Sequence, residues 1–157
     1  MTRSDDEQIY FLEMTTISHA QIIRKIRNEC KDYMTRSSEY ITEEQQEKWF
    51  NNLDADTTKV YLMYSSFHGV VFETLGFGYC KNDDNETYLT GGLKEAYRGK
   101  GYGRMLFSHL LEQAKTFNMP VTLEVLNTNT KAENLYKSLG FVEISRNDKV
   151  TKMEYRI

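Results

Sequence analysis

Three short groups of residues in this chain carry functional groups that could do chemistry. The segment 98–103, Arg-Gly-Lys-Gly-Tyr-Gly, has glycine at three of its six positions. Glycines leave backbone N–H groups unshielded, and at the start of a helix these groups and the helix dipole favour an anion. Further along, Glu124 supplies a carboxylate and Tyr136 a phenol, one suited to taking up a proton and the other to returning one. The pattern predicts a phosphate-binding turn beside an acid–base pair.

The segments around these residues predict a mixed α/β chain with the element order β-α-α-β-β-β-α-β-α-β-β. Strands are predicted at Ile9–Met14, Lys59–Ser65, Val70–Cys80, Thr87–Leu93, Val121–Leu126, Phe141–Ser145 and Val150–Tyr155. Capping boxes predict the starts of three helices, at Ser18 with Gln21, Thr42 with Gln45 and Thr130 with Glu133. The remaining helix is predicted from Gly103 to Phe117, and the three strands before it should form an antiparallel meander.

A strand, a glycine-rich turn, a helix and another strand is the context that supports a phosphate-binding turn. A nucleotide P-loop would need Gly-x-x-x-x-Gly-Lys-Ser/Thr, which the chain lacks. A Rossmann fingerprint needs Gly-x-Gly-x-x-Gly in a βαβ unit, whereas Gly99, Gly101 and Gly103 alternate and follow the predicted meander. The pair Gly91–Gly92 ends the strand before the turn, which suits a β-bulge or a close approach of another backbone.

Composition narrows the classes of partner that the chain can have. A length of 157 residues fits one domain spanning residues 1–157, and a net charge of −3 without a dense basic run argues against nucleic acid. Cys30 and Cys80 have no metal-ligand spacing. The amino-terminal residues lack the apolar segment of a signal peptide, and no apolar run approaches a membrane span. We therefore expect a cytoplasmic protein without a metal or a membrane partner, as a monomer or a homodimer.

The combined motifs resemble those of the GNAT family of N-acetyltransferases. Arg98, Gly101 and Gly103 match its Arg/Gln-x-x-Gly-x-Gly/Ala signature, and the following positions agree in spacing: Leu123-Glu124-Val125, Asn129, Ala132, Leu135-Tyr136 and Gly140-Phe141. The resemblance implies a twisted, mostly antiparallel sheet with helices on both faces and two splayed central parallel strands. It also implies acetyl transfer from acetyl-CoA to a primary amine, by direct attack in a ternary complex.

The resemblance also assigns roles to individual residues. Those implied to bind the cofactor are Leu93, Arg98, Gly99, Lys100, Gly101, Tyr102, Gly103, Arg104, Asn129 and Tyr136. Among them the Leu93 N–H would polarise the thioester carbonyl, and Tyr136 would give a proton to the departing thiolate. Glu124 lies on a Leu-Glu-Val strand like that of the ribosomal-protein N-terminal acetyltransferase branch, where it would be the general base, directly or through a water. No metal is implied, and the position of both cysteines outside the motifs disfavours a covalent acyl-enzyme.

The acceptor amine is left open between a peptide or protein amine, a polyamine and a small amine. Leu126 and Thr128 stand where the ribosomal-protein branch usually has arginine and serine. The candidates to contact the acceptor are Arg27, Tyr33, Trp49 and Glu73. The region of the first three weakly resembles members that acetylate amino-sugar nucleotides, which is one alternative. A non-catalytic CoA-binding sensor or interaction domain is the alternative from another class.

Overall fold

A computed structural model describes residues 6–36 and 38–156, with the side chain of Val71 excepted. Its strands are β1 Glu7–Glu13, β2 Thr58–Phe67, β3 Val71–Asn82, β4 Thr87–Leu93, β5 Val121–Leu126, β6 Val142–Arg146 and β7 Val150–Tyr155. Its α-helices are α1 Ile17–Glu29, α2 Glu43–Asn51, α3 Tyr102–Ala114 and α4 Thr130–Ser138. The strands form a seven-stranded sheet in the order β1-β2-β3-β4-β5-β7-β6. The predicted mixed α/β class and order of elements are confirmed.

Helices cover both faces of this sheet, because its strands alternate apolar side chains between the two sides. On one face, Ile23 and Ile26 of α1 pack with Val60, Leu62 and Phe77. On the other face, α3 and α4 pack on a larger cluster that includes Met63, Leu89, Leu106, Leu110, Leu123, Val125, Tyr136 and Met153. The two faces therefore have separate cores, and any group that passes between strands reaches from one layer of helices to the other.

The central strands β4 and β5 are parallel, whereas every other strand pair is antiparallel. Their pairing covers only Thr87 with Val121 and Tyr88 with Thr122. Beyond Tyr88 the two strands are no longer paired, although β4 continues to Leu93 and β5 to Leu126. The predicted splay of two central parallel strands is confirmed, and it opens a gap in the middle of the sheet.

Two of the three predicted capping boxes are wrong in their cap residue. Helix α1 is capped by Thr16, whose side chain accepts the His19 N–H, so Ser18 lies inside the helix. Helix α4 is capped by Asn129, whose side chain accepts the Ala132 N–H. The box of Thr42 with Gln45 at α2 is confirmed. In each wrong case a residue just upstream takes the extended conformation or side-chain bond that a cap needs.

Of the two alternatives predicted for Gly91–Gly92, the bulge is wrong, and the close neighbour of Gly92 is a side chain and not another backbone. The pairing of β4 with β3 runs without interruption from Thr87 to Leu93. A Cβ on Gly92 would lie 2.7 Å from the Sγ of Cys30, which shows how closely α1 approaches the sheet. Register shifts lie elsewhere: one is between Met63 and Tyr64 of β2, where Leu75 is the extra residue in β3, and another is between Glu143 and Ser145 of β6.

Within the described ranges, no helix is both long enough and apolar enough to cross a membrane. The same residues contain no group of three or more His, Cys, Asp or Glu side chains placed to hold a metal ion.

Candidate active site

A cavity of about 710 Å³ lies along the gap between β4 and β5. Its walls come from the end of β4, the middle of β5, the glycine-rich turn, the start of α3, α4 and the segment that follows α1. The volume lies within the range of about 300–1,000 Å³ typical of small-molecule and cofactor sites. Because the cavity follows the gap, it can be reached by side chains from both faces of the sheet.

The glycine-rich turn ends at the amino terminus of α3, and this terminus has no side-chain cap. Gly101 occupies the N-cap position without a side-chain hydrogen bond, and the first turn of α3 has no acidic residue. The amino termini of α1, α2 and α4 are all capped by a side chain. The first N–H groups of α3 are thus free of a local acceptor at the end of the helix where the dipole favours an anion.

The backbone of this turn fits a bulky anionic ligand. Gly99 and Gly101 have φ angles of +76° and +89°, which L residues with a side chain rarely adopt. A Cβ at either position would meet no atom within 4 Å. Both glycines line the cavity, so the turn leaves open space against exposed N–H groups. A pyrophosphate of a cofactor such as CoA fits this arrangement.

The side chains of the turn have different surroundings from its backbone. Arg98 is directed inward, where its Nε donates to the Leu93 carbonyl and its Nη2 to the Sγ of Cys30. Tyr102 is buried, and its hydroxyl donates to the Glu7 carboxylate. Lys100 lies near the Tyr97 ring, outside the cavity lining, whereas Arg104 lines the cavity and donates to Ser138. The cavity therefore meets mainly the backbone of this turn, together with Arg98 and Arg104.

The exposed backbone edge of β4 faces the gap. The Thr87 N–H bonds to Pro120 on the β5 side, while the Lys94 N–H bonds to Leu75 of β3. Because the backbone groups of a strand alternate between its two neighbours, the groups of Gly91 and Leu93 face the same side as those of Thr87. There β5 has diverged from β4. An extended ligand can therefore pair with this edge of β4 in the way that an added strand would.

Cys30 lies at the end of this edge. Its thiol donates to the Leu93 carbonyl. Burial raises the pKa of the Cys30 thiol, an effect that the hydrogen bond from Arg98 partly offsets. Cys80 is completely buried, and burial raises its pKa to about 11. Both thiols are therefore mainly protonated at neutral pH.

Tyr136 reaches the cavity from the α4 face of the sheet. Its ring is only 9% exposed and makes edge contacts with Phe107 and Phe141 at centroid distances of 4.9 and 6.3 Å. None of the described residues hydrogen-bonds with its hydroxyl, although the residue lines the cavity. Burial, with a smaller contribution from Tyr88, raises the pKa of Tyr136 above its ordinary value. The phenol thus stays protonated and is held in one orientation by two aromatic rings.

Glu124 reaches the cavity from the opposite face, since Leu123 and Val125 on either side of it belong to the core under α3. Its Oε1 accepts hydrogen bonds from Arg36 Nε at 2.9 Å, Thr35 at 3.2 Å and the Tyr88 hydroxyl at 3.3 Å. None of the described residues hydrogen-bonds with its Oε2. One oxygen fixes the carboxylate in place, and the other is left to a ligand.

The four candidate acceptor residues do not lie together. Arg27 and Tyr33 line the cavity beside Glu124, but Trp49 does not. Trp49 lines a smaller neighbouring cavity of about 360 Å³, which Arg27 also lines. Glu73 lines neither cavity and accepts a hydrogen bond from the Tyr97 hydroxyl, which raises the pKa of Tyr97 to about 12. The geometry brings Arg27, Tyr33 and Trp49 to adjoining spaces and leaves Glu73 outside them.

Three residues beside Glu124 were missed by reasoning from the sequence: Thr35, Arg36 and Tyr88. The Arg36 guanidinium also lies over the Tyr88 ring, 3.6 Å from its centroid. Tyr88 could have been found as a strand residue three positions before Gly91 in β4. Thr35 and Arg36 follow α1 without any motif, so no sequence signal pointed to them.

A comparison with sequence models of protein families matches residues 21–141 of this chain to the Acetyltransferase (GNAT) family. A sequence comparison with curated proteins gave no significant match.

Solved structures with the same fold cover nearly the whole chain at low identity. A Salmonella typhimurium protein provisionally described as an acetyltransferase, solved with its cofactor acetyl-CoA, is 18% identical with a TM-score of 0.74, covering 97% of this chain and 94% of that one. A ribosomal-protein-alanine N-acetyltransferase from Brucella melitensis is 16% identical with a TM-score of 0.76, covering 94% and 99%. A variant of a spermidine N-acetyltransferase from Vibrio cholerae is 17% identical with a TM-score of 0.75, covering 94% and 92%.

These structures differ in their described acceptors, so they support the shared fold and leave the acceptor open. The family match covers most of the chain and includes the glycine-rich turn, Glu124 and Tyr136. With the predicted splay and the uncapped start of α3 both present in the fold, the chain belongs to the GNAT family of acetyltransferases.

Proposed function

We propose that residues 1–157 form one GNAT N-acetyltransferase domain, which transfers acetyl from acetyl-CoA to a primary amine. The family and the fold support acetyl transfer to an amine. The observation that carries the proposal for this chain is the placement of Glu124 and Tyr136. They enter one cavity from opposite faces of the sheet, on either side of the gap between β4 and β5.

The residues proposed to hold acetyl-CoA lie along the turn and the edge of β4. The backbone of Gly99 to Arg104 would take the pyrophosphate, and the Arg104 side chain also lines the cavity there. The edge of β4 near Gly91 and Leu93 would pair with the extended pantetheine arm. Bound there, acetyl-CoA supplies a thioester carbonyl and a thiolate leaving group. The Leu93 N–H would donate to that carbonyl oxygen.

Protons are moved by the two side chains in opposite directions. The Oε2 of Glu124, directly or through a water, would accept a proton from the acceptor ammonium, so that the nitrogen lone pair is free to attack. The new C–N bond forms as the C–S bond breaks, and the remaining nitrogen proton is lost to solvent. Tyr136 would donate its phenolic proton to the departing sulfur, and it can do so because burial keeps the group protonated. The thiols of Cys30 and Cys80 are mainly protonated, which supports direct transfer over a cysteine acyl-enzyme.

The proposal is tested by the release of free CoA thiol from acetyl-CoA in the presence of amines. The panel should contain amino acids, a peptide with a free amino terminus, spermidine and an amino-sugar nucleotide. Amine-dependent thiol release with at least one class supports the proposal. Tight CoA binding without release for any amine would instead favour a CoA-binding sensor.

The role of Glu124 is tested by Glu124→Gln, which keeps the size of the side chain and removes its basicity. With the preferred amine, kcat/KM should fall about 10- to 1,000-fold at neutral pH. The deficit should shrink as the pH rises, because the acceptor amine then arrives already neutral. Glu112→Gln, which removes an exposed carboxylate of α3 paired with Lys115, is the matched control. A Glu124→Gln deficit that stays constant from pH 6 to 10 would assign Glu124 to acceptor binding.

A further inference from the structure

We infer that the acceptor is a small zwitterionic amine of the α-amino-acid type, whose carboxylate is bound by Arg36 while its ammonium faces Glu124. The inference rests on the proposed acetyl transfer and names the class of acceptor for that same site. It depends on the geometry of Arg36, the balance of charge in the cavity and the short separation between Arg36 and Glu124.

Arg36 is placed to bind an anion in addition to its partner Glu124. Its Nε contacts Glu124 Oε1 at 2.9 Å, and its guanidinium lies over the Tyr88 ring. Among the described residues, none hydrogen-bonds with its two terminal nitrogens. Its side chain is 57% exposed, so these nitrogens are open to a ligand entering the cavity. A planar guanidinium stacked on an aromatic ring is well suited to a carboxylate or a phosphonate.

The charges that line the cavity favour an acceptor with an anionic group. The charged residues of the lining are Arg27, Arg36, Arg98, Arg104, Lys131 and Glu124. Arg98 and Arg104 belong to the phosphate-binding turn and the start of α3, which leaves Arg27, Arg36 and Lys131 as cations and Glu124 as the carboxylate for the rest of the cavity. A polyamine brings a second cationic group, and among the described residues no second carboxylate lines this space to receive it. Like charges placed together in a cleft are unfavourable, so such an acceptor is selected against.

The contact between the two groups suits an acceptor whose amine and anion are close together. The free Oε2 of Glu124 and the terminal nitrogens of Arg36 belong to two side chains already in contact through Oε1 and Nε. A small molecule with its ammonium and its anion on the same or neighbouring carbon atoms can engage both groups at once. Free α-amino acids and α-aminophosphonates meet this condition. The amino terminus of a protein does not, because its carboxyl carbon is part of a peptide bond.

The test compares free α-amino acids with the same amino acids as primary carboxamides, together with spermidine and a peptide with a free amino terminus. For the preferred pair, kcat/KM for thiol release should be about 10- to 100-fold higher with the free acid, the range for a hydrogen-bonded charged pair. The amine of a carboxamide loses its proton more readily than that of the free acid. A preference for the acid therefore cannot come from amine basicity.

Variants of Arg36 assign this preference to a residue. In Arg36→Gln the ratio of acid to carboxamide should fall to about one or below, and Arg36→Lys should restore part of it. Removing Arg36 could also disturb Glu124 and lower the activity with every substrate. Because the ratio compares two substrates of the same variant, such a general loss cancels in the ratio. Arg156→Gln, which removes an exposed arginine paired with Glu154, should leave the ratio unchanged. Thermal melting of each variant checks that the fold is kept.

Several results would overturn the inference, and they differ from failure of acetyl transfer itself. Carboxamides, spermidine or the peptide acetylated as efficiently as the free acids would refute the zwitterionic acceptor while leaving the proposed function intact. A preference that persists in Arg36→Gln would refute the assignment to Arg36. No thiol release with any amine, in a protein that binds CoA, would refute the proposed function and the inference together.

Discussion

At the scale of single residues, the site depends on how two side chains are held. Tyr136 is fixed by aromatic neighbours, and burial keeps its phenol protonated, while its hydroxyl has no partner among the described residues. Glu124 is fixed through one carboxylate oxygen by Arg36, Thr35 and Tyr88. In both cases the surroundings restrict the side chain and leave one polar atom available. That is the arrangement expected of a preorganised acid–base pair.

Tyr136→Phe should lower kcat by about 10- to 1,000-fold with little change in the KM for acetyl-CoA. The ring and its contacts with Phe107 and Phe141 are kept, and no hydrogen bond to a described residue is lost, so the melting temperature should change little. In the unsubstituted protein the raised pKa of Tyr136 predicts that kcat shows no decline from phenol ionisation below pH about 10. Steady-state kinetics across pH checks both expectations. Turnover by the Phe variant close to that of the parent would mean that water protonates the thiolate.

At the scale of elements, the start of α3 differs from those of the other helices. Thr16, Thr42 and Asn129 cap α1, α2 and α4 with their side chains, whereas α3 begins at Gly101 with a positive φ and no side-chain cap. The missing cap costs the helix some stability and leaves its N–H groups for a ligand. Gly103, the next glycine of the turn, has less open space beside it than Gly101. A Cβ on Gly103 would lie 3.5 Å from Leu135, in ordinary contact with α4.

Gly101→Val should abolish CoA binding, because its branched side chain would fill the open space beside the N–H groups of the turn. The substitution also introduces backbone strain of about 1–2 kcal/mol at a positive φ. Gly69→Val is a matched control, since Gly69 has a φ of +68° and open space around it in the turn between β2 and β3. Calorimetric titration with CoA should show loss of binding only for the Gly101 variant. Equal CoA affinity in the two folded variants would rule out the assignment of the turn.

At the scale of the whole molecule, the gap between β4 and β5 depends on close packing between the sheet and both layers of helices. Gly92 allows Cys30 of the α1 side to lie against β4, and Arg98 joins the turn to this contact through the Cys30 sulfur. The edge of β4 that faces the gap is thereby held from one side by α1 and from the other by the core under α3. The gap between β4 and β5 therefore depends on these contacts between the sheet and its helices.

Gly92→Ala should destabilise the protein by about 1–3 kcal/mol, the usual cost of overpacking. The added Cβ would lie 2.7 Å from the Sγ of Cys30 in a fully packed contact. Removing that sulfur with Cys30→Ala in the same chain should recover part of the loss. Urea unfolding of the parent, the two single variants and the double variant measures the coupling. Strictly additive effects of the two substitutions would show that Cys30 is not what resists a side chain at position 92.

The sequence by itself determined the order of elements, the strand Val121–Leu126, the glycine-rich turn and the positions of Glu124 and Tyr136 along the chain. These features follow from local patterns: alternating apolar residues, glycines at special backbone angles and spacing within one helix or strand. Helix boundaries were predicted less well, because Ser18 and Thr130 each have a competing cap residue one or two positions upstream.

Only the tertiary structure decided what surrounds those residues. The three groups that hold Glu124 Oε1 come from positions 35, 36 and 88, and the first two are 89 and 88 residues away along the chain. Strand alternation places Glu124 on the face opposite Leu123, but it does not specify which segment covers that face. The packing of α1 on the sheet brings the segment after this helix, with Thr35 and Arg36, over β5. The chemistry of the acceptor side therefore depends on contacts between distant segments, which no local pattern encodes.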